Sequence, residues 1–431
     1  MEISILVLLV TFVVLLLLNT PIAITIAIAT LFTMLLSIDG LPALMTMSQR
    51  MVSGINSFAL LAIPFFILSG YLMGQGGIAR RLINFAIVLV GRLPGGLAFV
   101  NIISCTLFGS ISGSAVAATS AIGGFMIPAM NKAGYDKNFN TAVTVTASTT
   151  GMLIPPSNIL IIYSLASGGV SIAALFVAGY IPGLLVALFL VMVCGVYAKI
   201  KNYPTAEAIG FKESIDRAIG ALPSLFLVVL VIGGIINGWF TPTEAGAIAV
   251  VYSFVLSVFI YREIALSELG DVLTKAVQTT AIVMLLISAS AAMSWMLSYE
   301  NIPQQLSQFM ITLSDNPILI LLLINLILLA VGTFMDMTPA VLIFTPILLP
   351  VVESLGMSPL HFGIMMVLNL SIGLCTPPVG SVLFVGCSVG QTSIANVIKP
   401  LLPMYITMFL ALILVTYIPQ LSESLPRFLG L

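Results

Sequence analysis

Apolar runs of about bilayer length follow one another along nearly the whole sequence, at about 3–18, 22–38, 58–75, 139–166, 172–198, 223–240, 243–260, 277–297, 362–389 and 402–418. A helix needs roughly 20 mostly apolar residues to cross a membrane. Inside lipid the backbone must satisfy its own hydrogen bonds, which makes each of these runs a helix. Charge is scarce enough to exclude the soluble alternative. The 431 residues hold 14 Lys and Arg and 15 Asp and Glu, or 7%, where a soluble domain carries about 25%. The expected fold class is an all-α polytopic membrane protein with about 10 transmembrane helices.

Other classes fail on specific residues. No basic stripe is present, so a nucleic-acid partner has nothing to bind. Cys105, Cys194, Cys375 and Cys387 are scattered through apolar segments and read as small packing residues. The single histidine, His361, reads as a loop residue and rules out a His-rich metal site. No nucleophile–base pair or phosphate-cradling G-x-x-x-x-G-K-[ST] loop appears, so the chain is neither an enzyme nor an ATP-hydrolysing subunit. No cofactor is expected. The first segment has Glu2 before it and lacks the basic flank of a cleaved signal, so it is expected to remain in the mature protein.

Two further apolar stretches, about 95–130 and 318–352, are interrupted by polar tips: Gly109-Ser-Ile-Ser-Gly-Ser-Ala115 and Gly332-Thr-Phe-Met-Asp-Met-Thr-Pro339. Each arm is short for a crossing, and both stretches read as re-entrant hairpins. Irregular backbone at membrane depth survives only when buried in protein or lining a wet cavity. The breakers repeat. Thr20-Pro21 recurs as Thr241-Pro242 and Pro182 as Pro403, each 221 residues on. Pro128, Gly151 and Pro155-Pro156 recur as Pro350, Gly373 and Pro377-Pro378, each 222 residues on. The chain therefore divides into a first repeat (1–198), a linker or surface helix (199–220, with Lys199, Lys201, Glu207, Lys212, Glu213, Asp216 and Arg217) and a second repeat (221–431).

With the N-terminus outside and each helix crossing once, 12 of the 14 basic residues fall inside and only Arg50 and Arg427 outside, as the positive-inside rule requires. The same count starts the repeats on opposite sides and leaves both termini periplasmic. Inverted repeats with broken helices are the architecture of secondary transporters.

The chemistry lies at the breaks. Thr149-Thr-Gly-Met-Leu-Ile-Pro-Pro-Ser-Asn158 and Ser371-Ile-Gly-Leu-Cys-Thr-Pro-Pro-Val-Gly380 fall in the middle of two helices. A Pro-Pro pair removes two N–H donors and frees the carbonyls that they would have paired. Freed carbonyls in lipid need a partner. A dehydrated sodium ion supplies one, since hard cations take oxygen ligands; packing kinks satisfied by nearby Ser or Thr are the alternative. The first tip offers Ser110, Ser112 and Ser114. The second offers Thr333, Thr338 and Asp336, the only carboxylate placed deep in the membrane and so a functional candidate; Asp336 can also cap the helix that follows it. Glu244, in Thr241-Pro-Thr-Glu244, reads first as a capping-box acid.

Leu60-Leu-Ala-Ile-Pro-Phe-Phe-Ile67, the Gly109–Ala115 tip, Gly151-Met-Leu-Ile-Pro-Pro-Ser157, Ala178-Gly-Tyr-Ile-Pro-Gly183, Thr241-Pro-Thr-Glu-Ala-Gly246 and Thr376-Pro-Pro378 together resemble the large permease subunit of tripartite ATP-independent periplasmic (TRAP) transporters. The resemblance covers essentially the whole chain. It implies an elevator-type sodium symporter of the bacterial inner membrane, importing an organic acid with a small four-helix membrane subunit and a periplasmic substrate-binding protein. Carried over by motif, one sodium site would involve Ser112, Ser114, Gly151 and Pro155. The other would involve Gly332, Asp336, Gly373 and Cys375, the last two through their carbonyls. Substrate would lie near Ser114, Ser157, Asn158 and Thr338. Many members carry an acidic residue just after the tip, where Ala117-Ala118-Thr119 stands here. The other reading within transport is a self-sufficient sodium-coupled carboxylate transporter. A channel is disfavoured, because one asymmetric two-repeat chain suggests no ring-lined pore.

Overall fold

The computed structural model describes residues 2–205, 210–313 and 316–431, and among these every regular element is helical. The first half holds α1 (Glu2–Leu17), α2 (Ile22–Ser37), α3 (Gly40–Gly54), α4 (Ala62–Gln75), α5 (Ile78–Val90), α6 (Gly96–Ser112), α7 (Ala115–Lys132), α8 (Lys137–Thr150), α9 (Asn158–Ala166), α10 (Ile172–Ala178) and α11 (Tyr180–Lys201). The second half holds α12 (Phe211–Ile236), α13 (Pro242–Phe254), α14 (Leu269–Tyr299), α15 (Ile302–Leu313), α16 (Pro317–Phe334), α17 (Met337–Ser354), α18 (Pro359–Gly373), α19 (Ser381–Val389), α20 (Ile394–Tyr417) and α21 (Gln420–Phe428).

Eight helices among the described residues are long and apolar enough to cross a membrane, and four more are shorter and apolar. Leu6, Leu9 and Val13 on α1, Phe226 and Val229 on α12, and Val277 and Ile282 on α14 are exposed on the outer surface. In water such a surface would aggregate; against lipid it is matched to its solvent. The chain is an integral membrane protein.

The 222-residue offset seen in the breakers also relates the helices. α7 and α17 begin 222 residues apart, as do α8 and α18, and each broken helix resumes after a seven-residue irregular stretch containing a cis Pro-Pro peptide. The hairpins are α6–α7 and α16–α17. Their second arms cross over: α7 packs on α19, and α17 packs on α9. Each hairpin thus braces the far half of the other repeat's broken helix.

At the centre, α8 is buried from Phe139 to Thr150 although seven of those twelve residues are Asn, Ser or Thr. Two devices make the burial tolerable. Hydroxyls bond back to carbonyls of their own helix, as Thr144 to Asn140 (2.9 Å) and Thr146 to Ala142 (2.9 Å). Others bond across to the hairpin arms: Asn101 to Thr144 (2.7 Å), Thr106 with Thr150 (2.7 Å) and Thr119 to Ser148 (2.7 Å). Polar side chains hold membrane helices together in this way.

Several sequence expectations are corrected. α3, α5 and α15 lie between the apolar runs; they are amphipathic, and α3 and α5 carry Arg50, Arg80 and Arg81. Of the two readings of the polar interval, helix holds for its end: α12 starts at Phe211, with Arg217 paired to Glu213 at 2.5 Å. Glu207 of the linker lies outside the described residues. His361 is not in a loop but in the first turn of α18, buried, with Nδ1 2.5 Å from Ser422 Oγ and Nε2 3.2 Å from the Thr416 carbonyl. All four cysteines are free and buried. Glu244 completes the capping box expected of it: its carboxylate accepts from the Thr241 amide (2.8 Å), and the Thr241 hydroxyl accepts from the Glu244 amide (3.3 Å).

Candidate cation and substrate site

The site is built from two glycine crossings. In the first repeat α6 ends at Ser112, Gly113 turns the chain with φ 62°, and Ser114 caps α7 by accepting from the Ala117 amide (3.2 Å). Behind this tip α6 crosses the break of α8–α9, backbone on backbone. A Cβ on Gly151 would lie 2.5 Å from Gly109 Cα, and a Cβ on Gly109 would lie 3.0 Å from Gly151 Cα. The second repeat matches: a Cβ on Gly373 would lie 2.6 Å from Gly332 Cα, and one on Gly332 3.2 Å from Gly373 Cα. Only glycine permits such an approach. A bond from the Gly380 amide to the Thr333 carbonyl (3.1 Å) also ties the second crossing together.

The crossings differ in what their carbonyls do. At the first break Thr149 and Thr150 accept from the amides of Met152 (3.1 Å) and Leu153 (3.3 Å). Among the described residues no hydrogen bond reaches the carbonyls of Gly151, Ile154 or Pro155. At the second break Gly373 accepts from the Thr376 amide (2.8 Å), Leu374 from the Val382 amide (3.2 Å), and Cys375 from the Tyr405 hydroxyl. The expectation of two unpaired carbonyls here is therefore corrected. Each carbonyl keeps one further lone pair, but Cys375 is fully buried, its oxygen is engaged by Tyr405, and its thiol donates to the Val145 carbonyl (3.4 Å).

Asp336 stands at the N-cap position of α17, and its side chain makes no capping hydrogen bond into the helix. It lines a cavity of about 460 Å³ bounded by both tips, α9, α4 and α14. Ser112, Ser114, Asn158, Asp336 and Thr338 all line this space. Sequence reasoning thus brought together residues from two hairpins and one broken helix.

Ser157 is a correction. It is fully buried, and its hydroxyl donates to the Met152 carbonyl (2.6 Å), so it braces the break and does not reach the cavity. Gly151, Pro155, Gly332, Gly373 and Cys375 are also absent from the cavity wall. The arrangement has two layers, an open chamber between the tips and a backbone layer behind each. Sequence reasoning missed Tyr71 and Gln75 on α4 and Thr279 on α14, which line the chamber; Tyr71 and Thr279 hydrogen-bond each other (2.9 Å). Polar residues recurring at helical spacing within the apolar run of α4 were the available signal. Gly70 on the same helix packs against hairpin 1, where an added Cβ would lie 2.9 Å from the Ser112 carbonyl.

A polytopic helical bundle with two hairpin tips facing one chamber between broken helices defines a membrane transporter permease. Comparison with known proteins specifies which kind. The family model described as "Tripartite ATP-independent periplasmic transporter, DctM component" matches residues 9–421, and the chain belongs to that family. YgiK of Salmonella typhimurium is 53% identical over 416 residues, 96% of this chain and 95% of that one. Two Vibrio cholerae proteins are each 40% identical. The C4-dicarboxylate TRAP transporter large permease protein DctM matches over 432 residues (95% of each chain), and the sialic acid TRAP transporter large permease protein SiaM over 384 residues (89% and 90%). Among solved structures, the YdaH transporter of Alcanivorax borkumensis shares the fold, with TM-score 0.63 and 14% identity, covering 92% of this chain and 90% of that one.

Proposed function

We propose that this permease imports an organic acid by sodium symport, with the hairpins and broken helices moving as an elevator against the remaining helices. In this reading it works with a small membrane subunit and a periplasmic binding protein, and both termini face the periplasm. The names of the Vibrio relatives, one for C4-dicarboxylates and one for sialic acid, support an acid as cargo. The 12-to-2 distribution of basic residues supports the orientation and the inversion of the repeats.

The observation that carries the proposal is the repeated crossing. At each break backbone oxygens leave the helical ladder, without a hydrogen bond among the described residues at Gly151, Ile154 and Pro155 and engaged at Gly373, Leu374 and Cys375, and a carboxylate stands at the second tip. Oxygen ligands in that setting suit a small hard cation. A cation held behind each tip would neutralise and steady it, and cargo in the chamber would bridge the two tips. The first site would draw on Ser112, Ser114, Gly151 and Pro155, and the second on Gly332, Asp336 and Gly373.

The test is uptake into proteoliposomes holding the chain and both partners under an imposed sodium gradient. Accumulation should follow inward sodium and stop in Asp336→Ala, although that variant still inserts. Uptake indifferent to sodium would refute the coupling, and uptake by the chain alone would favour a self-sufficient transporter.

A further inference from the structure

The chamber between the tips has an unusual charge inventory for a site that handles acids. Among the described residues its lining includes no Lys, Arg or His, and the one charged group there, Asp336, is negative. An acid entering this space meets no fixed cation. The only positive charges that the proposed function supplies are the coupling ions behind the tips. Resting on that reading, one ion at each of two crossings contributes two positive charges, and Asp336 removes one. The remainder balances a single carboxylate. A dianion would leave one negative charge uncompensated, and moving an unpaired charge through the middle of a membrane is costly.

The walls favour the same answer. Ser112, Ser114, Asn158 and Thr338 provide hydrogen-bonding groups beside the tips. From the facing helices come Ile63, Ile67 and Val283, with Phe108, Ile159 and Ile162 completing an apolar lining. The polar groups contributed by α4 and α14 are neutral: Gln75, and the Tyr71–Thr279 pair that already bond each other. A second carboxylate directed at this wall would lose its water and gain no counter-charge, whereas an alkyl or aryl body would be well received. At about 460 Å³ the chamber lies within the roughly 300–1,000 Å³ typical of small-molecule sites.

We infer that the cargo of this permease is a monocarboxylate with a largely apolar body, carried with two cations, and not a dicarboxylate. The acid's single charged group lies at the tips and its apolar body lies against α4 and α14.

Ligand binding to the purified complex of this chain with its small membrane subunit tests the inference, with the binding protein left out so that it cannot select first. Thermal stability is followed in sodium and in potassium, with hexanoate, 2-oxohexanoate and phenylpyruvate set against the chain-matched adipate and the shorter succinate. Sodium should raise Tm and potassium should not. In sodium, at least one monocarboxylate should stabilise further and bind at least tenfold more tightly than either dicarboxylate. Thr279→Lys, which places a cation in the facing wall, should shift the preference towards adipate. Equal or tighter binding of a dicarboxylate in sodium, or no stabilisation by any monocarboxylate, overturns the inference while sodium coupling stands. Absence of a sodium-specific shift defeats the coupling itself.

Discussion

The two crossings share one backbone device but complete it differently. In the first repeat the tip is neutral, with serines among glycines, and among the described residues no hydrogen bond reaches the carbonyls of Gly151, Ile154 and Pro155. In the second repeat the tip carries Asp336, and the carbonyls of Gly373, Leu374 and Cys375 are each engaged. In the proposed reading the first crossing holds its cation by backbone and hydroxyl dipoles and the second by charge, so the two should respond differently to substitution.

The largest expected effect is at the charged crossing. Asp336→Ala removes the one charged group among the described residues that line the chamber and, in the proposed reading, the only charged partner of its cation. Sodium-dependent uptake should fall at least about a hundredfold, each tenfold being about 1.4 kcal/mol, while membrane insertion measured by surface labelling stays normal. Retained sodium dependence would erase the proposed difference between the crossings.

Next come the glycines. Gly151→Ala and Gly373→Ala place a Cβ 2.5 Å and 2.6 Å from a facing Cα. Overpacking typically costs about 1–3 kcal/mol, so both variants should melt several degrees lower, with uptake reduced in each. If only one variant is harmed, the crossings are not equivalent scaffolds.

Ser112→Ala removes a neutral oxygen from the dipolar crossing. A net hydrogen-bond-sized loss is about 0.5–1.5 kcal/mol, so the sodium concentration for half-maximal uptake should rise by up to about tenfold. Tyr405→Phe should do least. It frees the Cys375 carbonyl and lowers Tm slightly but leaves the sodium titration unchanged. Tighter sodium binding in this variant would restore Cys375 as a ligand.

Much of the fold was legible because its punctuation is local. The hairpins expected at about 95–130 and 318–352 appear as Gly96–Lys132 and Pro317–Ser354, and the break expected within 139–166 falls between Thr150 and Asn158. Proline and glycine impose those breaks on their own neighbours, wherever the segments end up. α3 and α5 escaped a search for apolar runs because Arg50, Arg80 and Arg81 interrupt them. Their signal was helical periodicity, as in the buried Ile78, Ala79, Leu82, Ile83 and Ala86 of α5. The tip residues were readable as polar atoms with no plausible place in lipid. Ser157 and Cys375 were not, since their roles depend on how a local carbonyl is satisfied. For Cys375 the partner is Tyr405, 30 residues away, and only packing brings that partner in. Tyr71 and Thr279 escaped for the same reason, because they meet across 208 residues of chain.

Direct counting of bound sodium tests the central claim that each crossing holds one cation. Equilibrium binding of radioactive sodium to the purified complex should saturate at two ions per chain, resist competition by potassium, and fall to one in Asp336→Ala. No saturable sodium binding, or two ions retained without the Asp336 carboxylate, would contradict it.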